Sequence, residues 1–405
     1  MPRLHNFPPG WANWACERWW LQSAEKRWNR WSIPGLVLLP STIWPIFSRS
    51  ATLRAGQLVR STIPFLIRRE SVSPMKALIC TAPGALVLTE IAAPMSPPPG
   101  WVRLDVSHVG ICGTDFHIYE GKHPFLSYPR IMGHEVSGVV GACGKGVTLQ
   151  PGTRVILNPY LSCGTCNACR KGKENCCTAI AVLGVHRDGA MCDSLLVPEA
   201  NLYPAGDLPM EHAAAVEMLA IGAHAVRRSG GVEGRALVIG AGPIGLGTAI
   251  FARIAGQDVT LLERDADRLA MVKGLGFATL STPDGVAEAT GGEGFDLVYD
   301  ATGNAASMQA AFGHVAHGGV LVLVSVVKEA ITFSDPEFHK REMTLIGSRN
   351  ALKQDFDHVV MALRQGLIPM DLIVTHRTTL AGAVDDLPKW TRSKAGLVKA
   401  VIRIS

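Results

Sequence analysis

The chain has 405 residues, 47% of them hydrophobic and 18% charged, enough for about two domains with a core each and too apolar for a disordered chain. Its net charge of +5 is unevenly spread: residues 1–74 hold ten Lys/Arg against three Asp/Glu, leaving the rest near neutral at about −2. That body carries no nucleic-acid footprint, and the chain's ten cysteines, four of them at metal-ligand spacing, point to metal binding in a reducing compartment, not to a small secreted disulfide scaffold.

Residues 1–74 contain seven of the nine tryptophans and show no clean helical or strand period. The apolar stretch from Ile33 to Phe47 is broken by Pro34, Pro40 and Pro45, too short and too interrupted for a membrane span. No compact signal-peptide pattern opens the chain. Three readings of the segment stay open: sequence upstream of a true start at Met75, a flexible, folded or membrane-touching extension, or a targeting segment. The first is preferred, because Met75 opens MKALICTAPGALVLTEI, an alternating apolar pattern of strand, turn and strand.

Two Gly-flanked turns follow. VGICGTDFH (109–117) carries Cys112, Thr114 and His117; MGHEVSG (132–138) carries His134 and Glu135. With Glu217, further on in AAAVEMLAIGAHAV, they make a candidate metal site that any one of them alone would not suggest. Between these segments, NPYLSCGTCNACRKGKENCCT (158–178) spaces Cys163, Cys166, Cys169 and Cys177 by two, two and seven residues. Thiolates bind zinc tetrahedrally at about 2.3 Å, and short C-x-x-C steps let one loop wrap the ion. Four sulfurs leave no position for substrate, so this ion is expected to be structural. Cys176 is the alternative fourth ligand, and a redox C-x-x-C the rival reading.

The next elements read as a nucleotide fold. In ALVIGAGPIGLG (236–247) an apolar strand meets Gly240-x-Gly242-x-x-Gly245 and then a helix from about Ile244 to Ala255. Gly240 suits the tight turn, Gly242 the approach of a pyrophosphate, and Gly245 helix–strand packing. The helix N-terminus presents its positive dipole end to phosphates. Glu263, at the end of the next strand, can accept from ribose hydroxyls and repels a 2′-phosphate, which favours NAD; Arg264 beside it leaves NADP open. FDLVYDATG (295–303) and GGVLVLVSV (318–326) read as buried parallel strands.

GICGTDFH, GHEVSGVV, the four-cysteine loop and VIGAGPIGLG, in that order, resemble the zinc-dependent medium-chain alcohol and polyol dehydrogenases over nearly all of residues 75–405. The resemblance implies two zinc ions. Cys112 and His134, with a carboxylate from Glu135 or Glu217, would hold the catalytic one, and the family pattern prefers Cys177 for the structural one. Val216-Glu217-Met218 lacks the proline of the polyol branch's V-E-P, but the glutamate is present. The implied reaction has zinc polarise a secondary alcohol, with hydride passing to NAD. The proton would leave through Thr114 and the cofactor ribose to His117, while Asp115 orients the loop. Ile244, Thr302 and Gly303 join Gly240, Gly242, Gly245, Glu263 and Arg264 as expected cofactor contacts.

SDPEFHKREMTLIGSRN (334–350), YPRIMGHE and LGVHRDG narrow the likeness to dehydrogenases of sugar acids such as L-galactonate or L-gulonate. Arg349 or Lys340 would meet the substrate carboxylate, with His186 and Arg187 as further candidates. GAMCDSL (189–195) departs from that branch's aromatic-containing stretch. A sorbitol- or threonine-type dehydrogenase is the rival enzyme reading. A non-enzymatic regulator on the same fold is the remote one, disfavoured because none of the site residues is lost.

The expected fold class is α/β: a mainly-β GroES-like catalytic domain (75–222, with 347–405 returning to it) and a doubly wound Rossmann dinucleotide-binding domain (223–346). A cytoplasmic homo-oligomer, dimer or tetramer, acting on a small-molecule polyol or sugar acid without nucleic-acid or membrane partners, completes the expectation.

Overall fold

The computed structural model describes residues 74–123 and 126–405; the readings made above for the N-terminal segment lie outside the described residues. A hairpin opens the fold, β1 (Pro74–Ala82) against β2 (Ala85–Ala92), with β1 also pairing β4 (Arg130–Ile131). Next come β3 (Trp101–Ile111) and helix α1 (Gly113–Tyr119), then β5 (Glu135–Cys143), β6 (Arg154–Leu157) and β7 (Tyr160–Leu161). The short helix α2 (Asn167–Arg170) lies inside the cysteine loop. It is followed by β8 (Ala181–Val182), β9 (Ser194–Pro198), β10 (Leu202–Pro204), α3 (Met210–Ala214) and α4 (Val216–Arg228). Most of α4 is apolar and buried, as expected of a helix without a solvent face; Glu217 and His224 are its buried polar exceptions.

A strand–helix alternation then builds one parallel sheet. It runs β11 (Arg235–Ile239), α5 (Pro243–Ile254), β12 (Asp258–Leu262), α6 (Ala266–Gly274), β13 (Ala278–Leu280), α7 (Gly285–Thr290), β14 (Phe295–Asp300), α8 (Ala305–Ala311), β15 (Val315–Leu323), α9 (Asp335–Lys340) and β16 (Thr344–Gly347). The spatial order β13-β12-β11-β14-β15-β16 is the doubly wound one, with its switch point between β11 and β14. Parallel register aligns Ile239 with both Leu262 and Asp300, so the residues that follow each strand emerge at one edge.

After α10 (Lys353–Arg364) and α11 (Met370–Ile373) the chain returns through β17 (Val374–Thr379), α12 (Ala383–Arg392) and β18 (Lys399–Arg403). β18 pairs antiparallel with β3 and parallel with β17, completing a seven-stranded sheet. The architecture is thus a GroES-like β-rich part and a Rossmann-type sheet, as the family resemblance implies. No described helix is long and apolar enough to cross a membrane.

Two glycines set the strand-to-helix turn. Gly240 has φ +91°, in the left-handed region, and a Cβ on Gly245 would sit 1.8 Å from the Gly240 carbonyl oxygen. Gly245→Ala is therefore expected to cost about 1–3 kcal/mol or more of stability by forcing α5 off β11, read as a lowered midpoint in urea unfolding.

Candidate active site and metal centres

Cys112 ends β3 and caps α1 with extended backbone, and the motif's Asp at N3 completes the turn. The buried Asp115 carboxylate accepts from Cys112 N (2.8 Å) and Gly133 N (3.2 Å), and stands 4.0 Å from His134 Nδ1. One side chain thus ties together the two loops that carry Cys112 and His134. Burial pushes its carboxyl upward, against the pull of His134 and the backbone donors.

The ligand atoms of Cys112, His134 and Glu135 lie within 4.8 Å of one another. Glu135 is wholly buried, and both of its oxygens stand 2.7 Å from Lys399 Nζ, which also donates to the Ile111 carbonyl at 3.1 Å. Glycine is required opposite: a Cβ on Gly110 would fall 2.1 Å from Glu135 Oε2. Burial pulls the Lys399 ammonium down, but Glu135, Cys112 and Glu217 outweigh it and hold the proton.

Glu217 enters from the first turn of α4. Its Oε1 accepts from the Tyr160 hydroxyl, while its buried Oε2 has no hydrogen-bond partner. Burial raises its carboxyl to about 6. Around His134 burial works downward, yet Cys112, Asp115 and Glu217 drive the imidazole well above its usual range. The sulfur, nitrogen and carboxylate oxygen of Cys112, His134 and Glu135 fit a zinc ion; Glu217, outside that close group, adds a carboxylate oxygen with no hydrogen-bond partner.

Thr114 and His117 share α1, three residues apart and so on one face. Cys112 Sγ is 3.8 Å from Thr114 Oγ1. His117 is exposed, and Lys394, whose Nζ lies 4.8 Å from the Phe116 ring centroid, adds to burial in lowering its proton affinity.

The thiols of Cys163, Cys166, Cys169 and Cys177 form a second cluster within 4.8 Å, of which Cys176 is not a member. Backbone amides point at the sulfurs: Cys163 N to Cys177 Sγ (3.2 Å), Cys166 N to Cys163 Sγ (3.4 Å) and Ala179 N to Cys177 Sγ (3.4 Å). Amide donors pull the Cys163 and Cys166 thiols down toward the thiolate form that zinc requires. This set also fits the ion, with no donor position left open.

At the switch point of the parallel sheet lies a cavity of about 460 Å³ lined by Gly240, Gly242, Glu263, Arg264, Arg268 and Thr302, among others. Glu263 accepts from Ala241 N (2.8 Å), Arg264 N (2.7 Å) and Asp265 N (3.0 Å), which fixes its carboxylate at the cavity wall. A Cβ on Gly242 would meet open space, whereas Ile244 packs inward on the core. Thr302 donates to Asp300 through both N and Oγ1, and Gly303 turns with φ +63°.

Of the cations proposed for substrate, Arg349 follows β16 on the cavity side, its carbonyl held by Asn175 Nδ2 at 2.8 Å. Lys340 is placed at the opposite end of the sheet, which corrects its candidacy: neighbouring Arg341 bonds Val315 and Gly318 at the start of β15, and Lys340 itself pairs with Glu337 at 3.7 Å. Helices in such crossovers run back to the strand starts, so the C-terminal end of α9 cannot face the cavity. His186 and Arg187 are exposed, with His186 Nδ1 accepting from Val182 N.

Tyr160, Lys399 and Arg268 had not been singled out from the sequence. Lys399 had a signal, a lone charge inside the apolar run AGLVKAVI; Tyr160 and Arg268 had none, because their partners are distant or depend on the helix turn.

Two families match the chain: the alcohol dehydrogenase GroES-like domain over residues 98–207 and the zinc-binding dehydrogenase over 243–365. The chain is 40% identical over 339 residues to the L-galactonate-5-dehydrogenase of Escherichia coli K12, covering 82% of this chain and 99% of that one. Among solved structures, the rspB alcohol dehydrogenase of E. coli CFT073 with NADH matches at TM-score 0.77 and 29% identity, over 82% of this chain and all (100%) of that one. A zinc-binding dehydrogenase from Sinorhizobium meliloti 1021 bound to NADP matches at TM-score 0.75 and 30% identity, over 82% and 99%.

Lys399→Met would leave Glu135 as an unpaired buried charge. A loss of about 3–5 kcal/mol is expected, with most of it recovered in Lys399→Met/Glu135→Gln, measured by denaturant unfolding of the two variants.

Proposed function

Because the chain belongs to the zinc-dependent medium-chain alcohol and polyol dehydrogenases, NAD(P)-linked enzymes, we propose that it oxidises the C5 hydroxyl of a sugar acid such as L-galactonate or L-gulonate, with NAD as hydride acceptor. The observation that carries this reading is the 40% identity to an L-galactonate-5-dehydrogenase across 99% of that relative. The chain is taken to divide near residues 222 and 346 into a split catalytic domain and a dinucleotide domain.

In this reading Cys112, His134 and a carboxylate hold the catalytic zinc, and Cys163, Cys166, Cys169 and Cys177 the structural one. Bound zinc supplies Lewis-acid polarisation of the substrate hydroxyl. Asp115 keeps Cys112 and His134 at fixed separation. The Thr114 hydroxyl, beside Cys112, takes the substrate proton, and His117 on the same helix face delivers it to solvent. A nicotinamide cofactor, when bound, would supply the hydride acceptor. Gly240, Gly242 and the α5 N-terminus would bind the pyrophosphate, and Glu263 the ribose. The anchored Glu263 carboxylate supports NAD, since a 2′-phosphate would meet a negative charge; Arg264 and Arg268 in the same wall are what could relieve it.

Burial and the positive charges of His186, His117, His134 and Lys328 lower the proton affinity of His123. Arg349 stands on the cavity side as the bidentate candidate for the substrate carboxylate. A homo-oligomer is supported by β16, an edge strand with Leu345 exposed, and by the nearby Val326, 92% exposed.

Purified enzyme, assayed for NADH formation against sugar acids, sorbitol-like polyols and L-threonine, is expected to give its highest kcat/KM with L-galactonate or L-gulonate, and a higher value with NAD than NADP. Preference for sorbitol or threonine would retain the zinc dehydrogenase and refute the sugar-acid substrate. Arg349→Ala should raise KM for the sugar acid about 10- to 100-fold, the worth of a charged hydrogen bond.

His117→Ala should lower kcat about 100- to 10,000-fold. His117 must be neutral to accept a proton and its affinity is lowered, so the acid limb of kcat/KM should fall below the ordinary histidine value of about 6.5.

A further inference from the structure

The cysteine loop touches α4 at two places, and both contacts fall on one face of that helix. The first foot is Tyr160, three residues before Cys163, whose hydroxyl donates to Glu217 Oε1. Tyr160 is itself held: its amide donates to Asn158 Oδ1 (3.1 Å) and its carbonyl accepts from Asn201 Nδ2 (3.2 Å). The second foot is Asn175, two residues before Cys177 and buried. Its Nδ2 lies 3.2 Å from His224 Nε2 and 2.8 Å from the Arg349 carbonyl, and its own carbonyl accepts from Asn350 Nδ2 at 3.3 Å.

Glu217 and His224 are seven residues apart, two helical turns, so their side chains project from the same side about 10 Å apart along the axis. His224 is pinned in turn: its Nδ1 is 2.8 Å from Asp355 Oδ2 on α10, and Arg227 Nε reaches Asp355 Oδ1 at 2.7 Å. Arg227 Nη2 also stands 2.9 Å from His224 Nδ1, so Asn175, His224, Arg227 and Asp355 form one continuous polar network along this face.

We infer that the four-cysteine loop is a brace for the catalytic carboxylate: Tyr160 and Asn175 are positioning residues that clamp α4 from both ends of the loop and present Glu217 to the catalytic metal. With Oε1 held by the tyrosine hydroxyl, the unmatched Oε2 is the oxygen that would be left to meet a metal. The loop's own ion would then stiffen the segment on which both feet stand, so order at the structural site is transmitted to affinity at the catalytic one. This rests on the proposed zinc site and takes Glu217, of the two carboxylates left open there, as the one that meets the metal.

The test is zinc affinity, measured without turnover. Holoprotein is equilibrated against graded free-zinc buffers, and bound zinc per chain is counted by atomic emission. Tyr160→Phe should release one equivalent at a free zinc concentration about 10- to 100-fold higher than the parent, the usual scale for a group that orients a ligand, while the second equivalent is unmoved. Excess zinc should restore its kcat, which repair of a merely structural defect would not do. Asn175→Ala should shift the same equivalent in the same direction by a smaller factor, and it decides the matter if Tyr160→Phe does not fold.

Glu217→Gln separates the two possible failures. If it weakens the site and both brace variants leave the affinity within twofold of the parent, the brace is overturned while Glu217 stays with the metal. If Glu217→Gln has no effect either, the assignment beneath the proposal is the part that fails.

Discussion

The site depends on gathering ionisable groups of both signs in one place. Cys112, Asp115, Glu135 and Glu217 come together near the end of β3 and the start of α4, with His134 and Lys399 brought to meet them. Carboxylates packed in a low-dielectric interior are costly unless paired, so such a cluster needs a cation fixed against it. Lys399 is the fixed part. It comes from the last seven residues of the chain, and it reaches Glu135 because β18 inserts between β3 and β17. Closing the β-rich part and neutralising its site are one structural event.

The parallel sheet solves a different problem with backbone geometry. Strand register brings the residues after Ile239, Leu262 and Asp300 to one edge, so Gly240, Glu263 and Thr302 line a single cavity though sixty residues of chain separate the first from the last. The switch point opens a crevice there because neighbouring connections leave in opposite directions. This half also buries a carboxylate: Asp300 accepts from Thr302 N, Thr302 Oγ1 and Ser307 Oγ, while three backbone amides anchor Glu263 at the cavity wall.

Helix α4 belongs to both. It bears Glu217 at its start and packs along α5, close enough that a Cβ on Gly222 would stand 2.5 Å from the Gly247 carbonyl carbon. Tyr160, Asn175 and Asp355 hold its polar face at Glu217 and His224.

How much of this was legible depended on distance along the chain. The cysteine spacing, the Gly-x-Gly-x-x-Gly turn and the Cys112-x-Thr114-x-x-His117 pattern are local: their chemistry acts within one turn or one loop, where spacing alone dictates geometry. Cys177 over Cys176 was suggested by pattern and agrees with the cluster the fold forms. Lys340 looked as good as Arg349 from composition, and only the direction of α9 separates them, because a crossover helix carries its last residues away from the strand ends. The pairings of Lys399 with Glu135 and of Tyr160 with Glu217 span 264 and 57 residues. No local rule encodes them: each arises from sheet register and helix docking, which are set by the packing of the whole chain. The sequence by itself therefore determined which chemical groups are available and how each local turn presents them. The tertiary structure alone decided which buried charges are paired, and which carboxylate oxygen is left without a hydrogen-bond partner.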